Sequence, residues 1–109
     1  MTTEQIQQML EQTGLPVTWR AWPVGKAPPL PWICYLNNET TNYYAEGQVY
    51  VSFEHIRVEL YSLYPDGLSE LKLEQVLTRA GHAWTKEREY LTDEECNMTV
   101  YEIEVYNNG

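Results

Sequence analysis

The residues of this sequence best suited to catalysis or metal binding are Cys34, His55, His82 and Cys96. Together they have the donor types of a Cys2His2 zinc site. Structural zinc sites usually take their ligands in close sequence pairs, whereas these four residues lie at least 14 positions apart. We therefore predict no metal site, and we interpret Cys34 as a small buried residue of a core strand.

The carboxylates offer a second kind of chemistry, because paired acids can transfer protons or bind a hard cation. The densest acidic run is Asp93–Glu95, and Glu102 and Glu104 alternate along a predicted strand. Consecutive residues of a turn point in different directions, so we interpret the run as a solvated turn. Glu102 and Glu104 are predicted to form a charged strand face, which is either exposed or paired with Lys86 or Arg88 across a hairpin.

Known catalytic sequence patterns are missing. There is no G-x-S-x-G, no P-loop and no G-x-G-x-x-G. Neither histidine has a recognisable catalytic partner in the sequence. We expect a protein that is not an enzyme and that uses no cofactor.

Charge and composition narrow the possible partners. The chain has 109 residues and a net charge of −9, with four Trp, nine Tyr and one Phe. Phosphate backbones and anionic membranes repel such a surface, so we expect neither sequence-specific nucleic-acid binding nor membrane binding. The first residues lack the basic start and apolar core of a signal peptide, so we expect the product to stay where it is made.

Two helices are predicted from apolar residues at helical spacing. The first is capped by Thr3 and ends before Gly14 and Pro16. The second is capped by Ser69, after a turn at Tyr64–Gly67, and ends at Gly81. Its apolar stripe consists of Leu73, Val76, Leu77 and Ala80.

Five strands are predicted around these helices: Val17–Ala21, Trp32–Leu36, Val49–Tyr61, Ala83–Leu91 and Met98–Tyr106. A proline-rich connector, Trp22–Pro31, joins the first two. The chain is thus predicted to be a single α+β domain, residues 1–109, with two helices and a mainly antiparallel sheet in the order α-β-β-β-α-β-β.

Two features of the central region bear on assembly. The polar segment Asn37–Gly47 is predicted to be a long loop, and Tyr43 and Tyr44 within it are candidate interface residues. In the strand that follows, apolar residues move from odd to even positions near His55. This shift of parity predicts a bulge or bend at that point.

Several of these segments together resemble small tail-completion proteins of long-tailed phages and prophages of Gram-positive bacteria. The resemblance rests on LPWICYL, VYVSFEHIRVELYS, the helix LKLEQVLTRAG and the strand TVYEIEVY, and it extends from about Ile6 to Tyr106. The proline-rich approach to Trp32–Leu36 and the strand Arg57–Tyr61 are its most specific parts. The segment NETTNYYAEG departs from the family pattern, as loops often do.

The resemblance implies a structural virion protein at the head–tail joint, most specifically a tail terminator. Such a protein forms a hexameric ring with copies of itself, contacts the tail-tube protein on one side and a neck or head-completion protein on the other, and passes from the host cytoplasm into the virion. A ring through which DNA moves is expected to present acids to its lumen. The candidates in this chain are Asp93, Glu94, Glu95, Glu102 and Glu104.

Two alternatives remain open from the sequence. The first is another neck component, such as a head-closure protein. The second is an acidic DNA mimic that occupies a nucleic-acid-binding enzyme. Mimicry needs carboxylates spaced like phosphates along one face, whereas the acids of this chain are interleaved with bases.

Overall fold

The structure, a computed structural model, describes the backbone of residues 2–45 and 47–107 and their side chains except those of 42–45, 48–51, 106 and 107. Its elements are α1 (Thr3–Glu11), β1 (Val17–Trp19), β2 (Trp32–Ala45), β3 (Gln48–Ser62), α2 (Gly67–Arg79), β4 (Trp84–Leu91) and β5 (Cys96–Asn107). The predicted α+β class and the order α-β-β-β-α-β-β are confirmed.

All five strands form one sheet, in the order β1-β2-β3-β5-β4. Every pairing is antiparallel except that of β1 with β2. The antiparallel pairs β2–β3 and β4–β5 are consecutive along the chain, and a short turn joins β4 to β5. The short strand β1 and the eight-residue strand β4 are therefore the two edges of the sheet.

Both helices pack on the same face of the sheet. One apolar cluster joins Leu10 of α1 and Leu73 and Leu77 of α2 to strand residues such as Leu60 and Tyr101, all of which have no exposed surface. Side chains alternate along a strand, so the even positions of β3, the odd positions of β5 and, as far as Tyr35, the odd positions of β2 face this core. The other side of the sheet, which we call the open face, carries no helix.

The helix ends follow from local chemistry. Thr2, not the predicted Thr3, caps α1, because its side chain accepts a hydrogen bond from the Gln5 amide while the Gln5 side chain accepts one from the Thr2 amide. Asp66, not Ser69, caps α2 by accepting from the Ser69 amide. Ser69 lies inside the first turn and donates its hydroxyl to Asp66 at 2.8 Å.

Glycines end both helical segments as predicted. Gly14 and Gly81 have φ values of 81° and 85°, a region that costs other residues strain. After Gly81, the amide of His82 donates to the carbonyl of Leu77. Ala80 is the C-cap of α2 and is exposed, so the buried stripe of this helix ends at Leu77.

The predicted loop at Asn37–Gly47 is wrong, because β2 continues to Ala45. Its polar residues pair with β3, for example Thr41 with Phe53 and Tyr43 with Val51. Among the described residues, the ladder of β5 on β3 ends with Ser52, paired with Asn107. Beyond that pair, β2 and β3 continue as a two-stranded arm, residues 42–45 and 48–51. This arm extends the molecule, which measures 51 × 29 × 23 Å.

The irregularity predicted near His55 does lie beside His55, but it is in the partner strand β2 and not in β3. Asn37 pairs with Ile56 and Glu39 with His55, so Asn38 is an extra residue of β2. The pairing of β3 with β5 continues past His55 without a shift.

The edge strand β1 ends at Trp19, two residues before the predicted Ala21. Arg20 has a φ of 67°, and the Ala21 amide donates a hydrogen bond to the Trp19 carbonyl, which ends the strand.

Candidate assembly surfaces

Charged residues form a band across the middle of the open face. The sheet register places Arg57 opposite Glu102 and His55 opposite Glu104. The His55 Nδ1 lies 3.7 Å from Glu104, and its Nε2 lies 2.8 Å from the Thr41 hydroxyl and 3.9 Å from Glu39. Glu102 and Glu104 thus share one exposed strand face, as the alternation in the sequence predicts.

Lys86 and Arg88, the bases predicted as possible partners of Glu102 and Glu104, lie on the other side of the sheet. Lys86 pairs with Tyr101 and Arg88 with Thr99 in the β4–β5 ladder, which places both bases on the helical side of the sheet. Arg57 fills the position on the open face instead. Its Nε donates to Glu59 at 2.7 Å, and this hydrogen bond raises the Arg57 pKa. Of the two possibilities predicted for Glu102 and Glu104, the exposed face is therefore confirmed, and pairing with Lys86 or Arg88 across the hairpin is wrong.

Lys86 and Arg88 instead bind the helix α2 through a buried carboxylate. Arg88 donates to both oxygens of Glu70, at 2.6 and 2.9 Å, and Lys86 lies 2.9 Å from the same group. The Thr99 hydroxyl donates a further hydrogen bond to Glu70 at 3.0 Å. These hydrogen bonds, that of Arg88 above all, hold the Glu70 pKa at about 2 against the opposing effect of burial.

Glu74, one turn later, extends this network. It accepts from Lys86 at 2.7 Å and from the Tyr101 hydroxyl at 2.6 Å. Burial and this hydrogen bond raise the pKa of Tyr101. The network is a fixed scaffold between α2 and the sheet, and sequence analysis missed it. The available signal was Glu70, which shares a helical face with Leu73 and Leu77 and is followed in sequence by a strand containing Lys-x-Arg.

The acidic run Asp93–Glu95 forms the exposed turn between β4 and β5, where Leu91 pairs with Cys96. This turn lies at one end of the sheet. The band containing Glu102 and Glu104 lies on the open face, several residues along β5. The two groups of predicted acids are therefore not brought together into a single cluster within one subunit.

The candidate interface residues Tyr43 and Tyr44 lie in the arm, where they pair with Val51 and Val49. Their side chains lie outside the described residues, so the structure gives only their register positions. That register still separates them from the acids of the β4–β5 turn, because the arm and the turn are at opposite ends of the sheet.

The cysteines are not placed for nucleophilic chemistry. Both are buried, and they lie on strands separated by β3. Burial, reinforced by the Glu59 charge, raises the Cys34 pKa to about 12, and burial also raises that of Cys96. Both thiols therefore stay protonated near neutral pH, whereas the thiolate is the reactive form.

The histidines are far apart in the fold, since His55 is on β3 and His82 follows α2. Burial lowers the pKa of His82, and its Nε2 has no hydrogen-bond partner among the described residues. Within the same part of the chain, no three His, Cys, Asp or Glu side chains are grouped as metal ligands.

Two shallow grooves follow the β4–β5 side of the open face. One, of about 430 Å³, runs over Arg57, Thr85, Glu87 and Glu102. The other, of about 400 Å³, lies between Trp84 and Phe53. Both are open and carry mixed polar and apolar walls. Such surfaces are more typical of contacts with another macromolecule than of an enclosed small-molecule site.

At the opposite side of the open face, aromatic rings replace the charges. Trp22 of the proline-rich connector meets the Trp32 ring edge-on at 5.9 Å, and Trp32 stacks on Tyr61 at 4.6 Å. The connector therefore folds back over the sheet at this point, and it covers the region around the buried Cys34.

Comparison with known proteins gives no relative from which a function can be taken: no protein-family description matches the chain, and no curated protein resembles it significantly. Neither α1 nor α2 is both long and apolar enough to cross a bilayer, within the residues the structure describes.

Proposed function

We propose that this chain is a structural virion protein at the head–tail joint of a long-tailed phage, and that it acts as a tail terminator. In this role, copies of the chain form a ring, six in number by the family resemblance, that caps the tail tube and presents it to a neck or head-completion protein. It assembles in the host cytoplasm and remains in the virion.

The observation that carries the proposal is the combination of one open sheet face with a projecting hairpin arm. Both helices cover the same side of the sheet, and the connector covers only the region around Cys34 on the other side, so the part of that side around Glu102 and Glu104 is free to meet neighbours. The arm, residues 42–45 and 48–51, extends past Asn107, and among the described residues its two strands pair only with each other. A two-stranded ribbon is marginally stable alone, so contact with another subunit would stabilise it.

The arm also suits an assembly role by composition. Its sequence, NYYAEGQVYV, contains three tyrosines and two valines among ten residues. Tyrosine gives a large contact area while it keeps a polar hydroxyl, which makes it common at interfaces. Tyr43 and Tyr44 are accordingly proposed to contact a neighbouring subunit or the tail tube.

The charge of the molecule is consistent with a channel for DNA. Glu102 and Glu104 are exposed on the open face, and Asp93–Glu95 is exposed at one end of the sheet. We propose that one or both of these groups line the lumen, where negative charge keeps DNA from adhering as it passes.

A head-closure role for the same ring is the nearest alternative, and it differs in which protein binds. DNA mimicry is less well supported, because Glu59, Glu70 and Glu74 are engaged by bases or hydroxyls of the chain itself. Their charges are therefore neutralised locally rather than displayed as a phosphate-like row.

The experiment that tests the proposal is light scattering on the purified protein over a range of concentrations, alone and with the tail-tube protein. A terminator binds the tube and halts its polymerisation. A protein that leaves polymerisation unchanged and instead copurifies with head proteins would favour the head-closure alternative. A ring that forms only on the tube end remains consistent with the proposal, because the tube then acts as the template.

A further inference from the structure

Five large apolar side chains are exposed around the start of α2 and the end of β4. They are Leu63, Tyr64, Leu68, Leu71 and Tyr90, with exposed fractions of 50 to 67%. We call this set the edge patch. Single exposed apolar residues are ordinary on a protein surface, but a contiguous group of this kind marks an interaction site.

The sheet register shows why these residues lie together. Ser62 pairs with Asn97, which pairs on its other side with Tyr90, so Leu63 and Tyr64 leave the sheet near Tyr90. The ion pair of Arg88 with Glu70 ties β4 to the first turn of α2. Tyr90, two residues beyond Arg88 on the same strand face, is therefore beside the turn that carries Leu68.

Acids lie at one end of the edge patch. The exposed turn Asp93–Glu95 follows Tyr90 closely in sequence, whereas Glu87 and Glu89 alternate with Arg88 and Tyr90 and therefore face the other side of the sheet. The one base in this stretch, Arg88, is bound by the buried Glu70. The patch is therefore negative at the end formed by this turn, although the exposed Lys72 lies one helical turn after Leu68, and that end fits a partner that combines apolar groups with free positive charges.

This chain has one segment of that chemistry. Residues 12–38 contain no acid, and Arg20 and Lys26 are their only bases. The Arg20 guanidinium lies over the ring of Trp19 at 4.5 Å, Trp19 is 47% exposed, and Val24 is fully exposed. We call Trp19–Lys26 the basic segment.

Within one molecule, Trp22 of the basic segment reaches Trp32, which stacks on Tyr61 near Leu63, whereas Arg20 beside β1 and Tyr90 of β4 lie at opposite edges of the sheet. The basic segment begins on β1, and the edge patch includes β4, which is the opposite edge. Four strand spacings of about 4.8 Å, or roughly 19 Å, separate the two strands. In the single subunit, both surfaces remain exposed.

We infer that the basic segment of one copy docks on the edge patch of the next. The two surfaces differ, so the contact is head-to-tail, and repetition closes a ring or extends a filament. An apolar centre inside a charged rim is the usual anatomy of an interface, which takes about 800 Å² from each partner. The inference rests on the proposed function, because this contact is the one that would join neighbouring subunits of the proposed ring.

The test uses two variants of exposed residues, which should leave the fold intact. The segment variant combines Arg20→Gln with Lys26→Gln, and the patch variant combines Leu68→Gln with Tyr90→Gln. The control, Arg79→Glu, is at the far end of α2 and changes the net charge by the same amount as the segment variant. Sedimentation velocity measures association up to about 1 mM, at low and high salt.

Wild type and the control are expected to associate, and high salt should weaken both. Each variant alone should associate at least about tenfold more weakly. An equimolar mixture of the two variants should form dimers and nothing larger, because only one intact pair of surfaces is available for each dimer. Circular dichroism confirms that all of the proteins are folded.

Three results would overturn the inference: a monomeric wild type at all concentrations, a patch variant that associates like wild type, or a variant mixture that stays monomeric. The proposed function is measured separately, by capping of the tail tube. If both variants still form rings and cap tubes like wild type, the proposed contact is refuted and the proposed function stands. If the variant mixture forms dimers but wild type does not cap tubes, the contact stands and the proposed function is refuted.

Discussion

The guanidinium of Arg88 holds the buried carboxylate of Glu70 in a two-pronged hydrogen bond, at 2.6 and 2.9 Å, across the interface between β4 and α2. Only 2% of the Glu70 side chain is exposed, whereas half of the Arg88 side chain is. This pair fixes the helix on the sheet at the edge where β4 would otherwise have little to pack against, since few of its side chains are buried.

Removal of the Glu70 charge should destabilise the fold. Glu70→Gln leaves Lys86 and Arg88 without their shared acceptor, and breaking a buried ion pair costs about 3 kcal/mol or more. We expect the free energy of unfolding in urea to fall by about 3 kcal/mol. The matched control, Glu87→Gln on the exposed side of β4, should change it by less than about 0.5 kcal/mol. Equal effects of the two substitutions would contradict the structural role of Glu70.

The same carboxylate predicts a dependence of stability on pH. The pKa of Glu70 in the folded protein is about 2, below its ordinary value of 4.5. Its contribution is thus fully present above pH 4.5 and is lost as the pH falls from 4.5 towards 2. The difference in unfolding free energy between wild type and Glu70→Gln should therefore shrink over this interval. A difference that stays constant from pH 6 to pH 2.5 would show that the pair is not the cause.

The arm predicts that assembly and stability can be separated. Tyr43→Ala with Tyr44→Ala alters a two-stranded ribbon whose strands, in the part of the chain that the structure describes, pair only with each other. We expect weaker self-association or weaker tube capping with a melting temperature within about 2 °C of wild type. A melting temperature that falls in step with assembly would mean that the tyrosines pack on their own subunit.

The charge of the open face predicts how the proposed ring interacts with DNA. Glu102→Lys with Glu104→Lys reverses two exposed charges beside Arg57. If these acids line the lumen, the variant ring should retain a short DNA duplex in a gel-shift assay, and salt should release it, whereas the wild-type ring should retain none. A ring structure whose channel is basic or neutral would contradict this part of the proposal.

The sequence was sufficient for the fold class because its strongest signals are local. Gly14 and Gly81 adopt the left-handed conformation expected after a helix, and alternation in β5 separates the buried Ile103 from Glu102 and Glu104. The strand at Asn37–Ala45 was missed for a physical reason. Its polar residues show no alternation of apolar and polar types, and the partner strand β3 supplies the pairing that holds them.

The site was harder to predict than the fold. Lys86 and Arg88 were matched to the wrong carboxylates because their strand face depends on register, which the sequence does not show directly. Glu70 was missed because an acid is rarely buried, and its burial here depends on bases that lie 16 and 18 residues later.

The central claim is that this protein ends a tail tube, and electron microscopy of tubes assembled in its presence tests it most directly. We predict that adding the protein at substoichiometric amounts during polymerisation shortens the tubes and places a ring at one end of each. The Tyr43→Ala, Tyr44→Ala variant should have a weaker effect at equal concentration. Tubes of unchanged length with bare ends, at protein concentrations well above that of tube ends, would contradict the account.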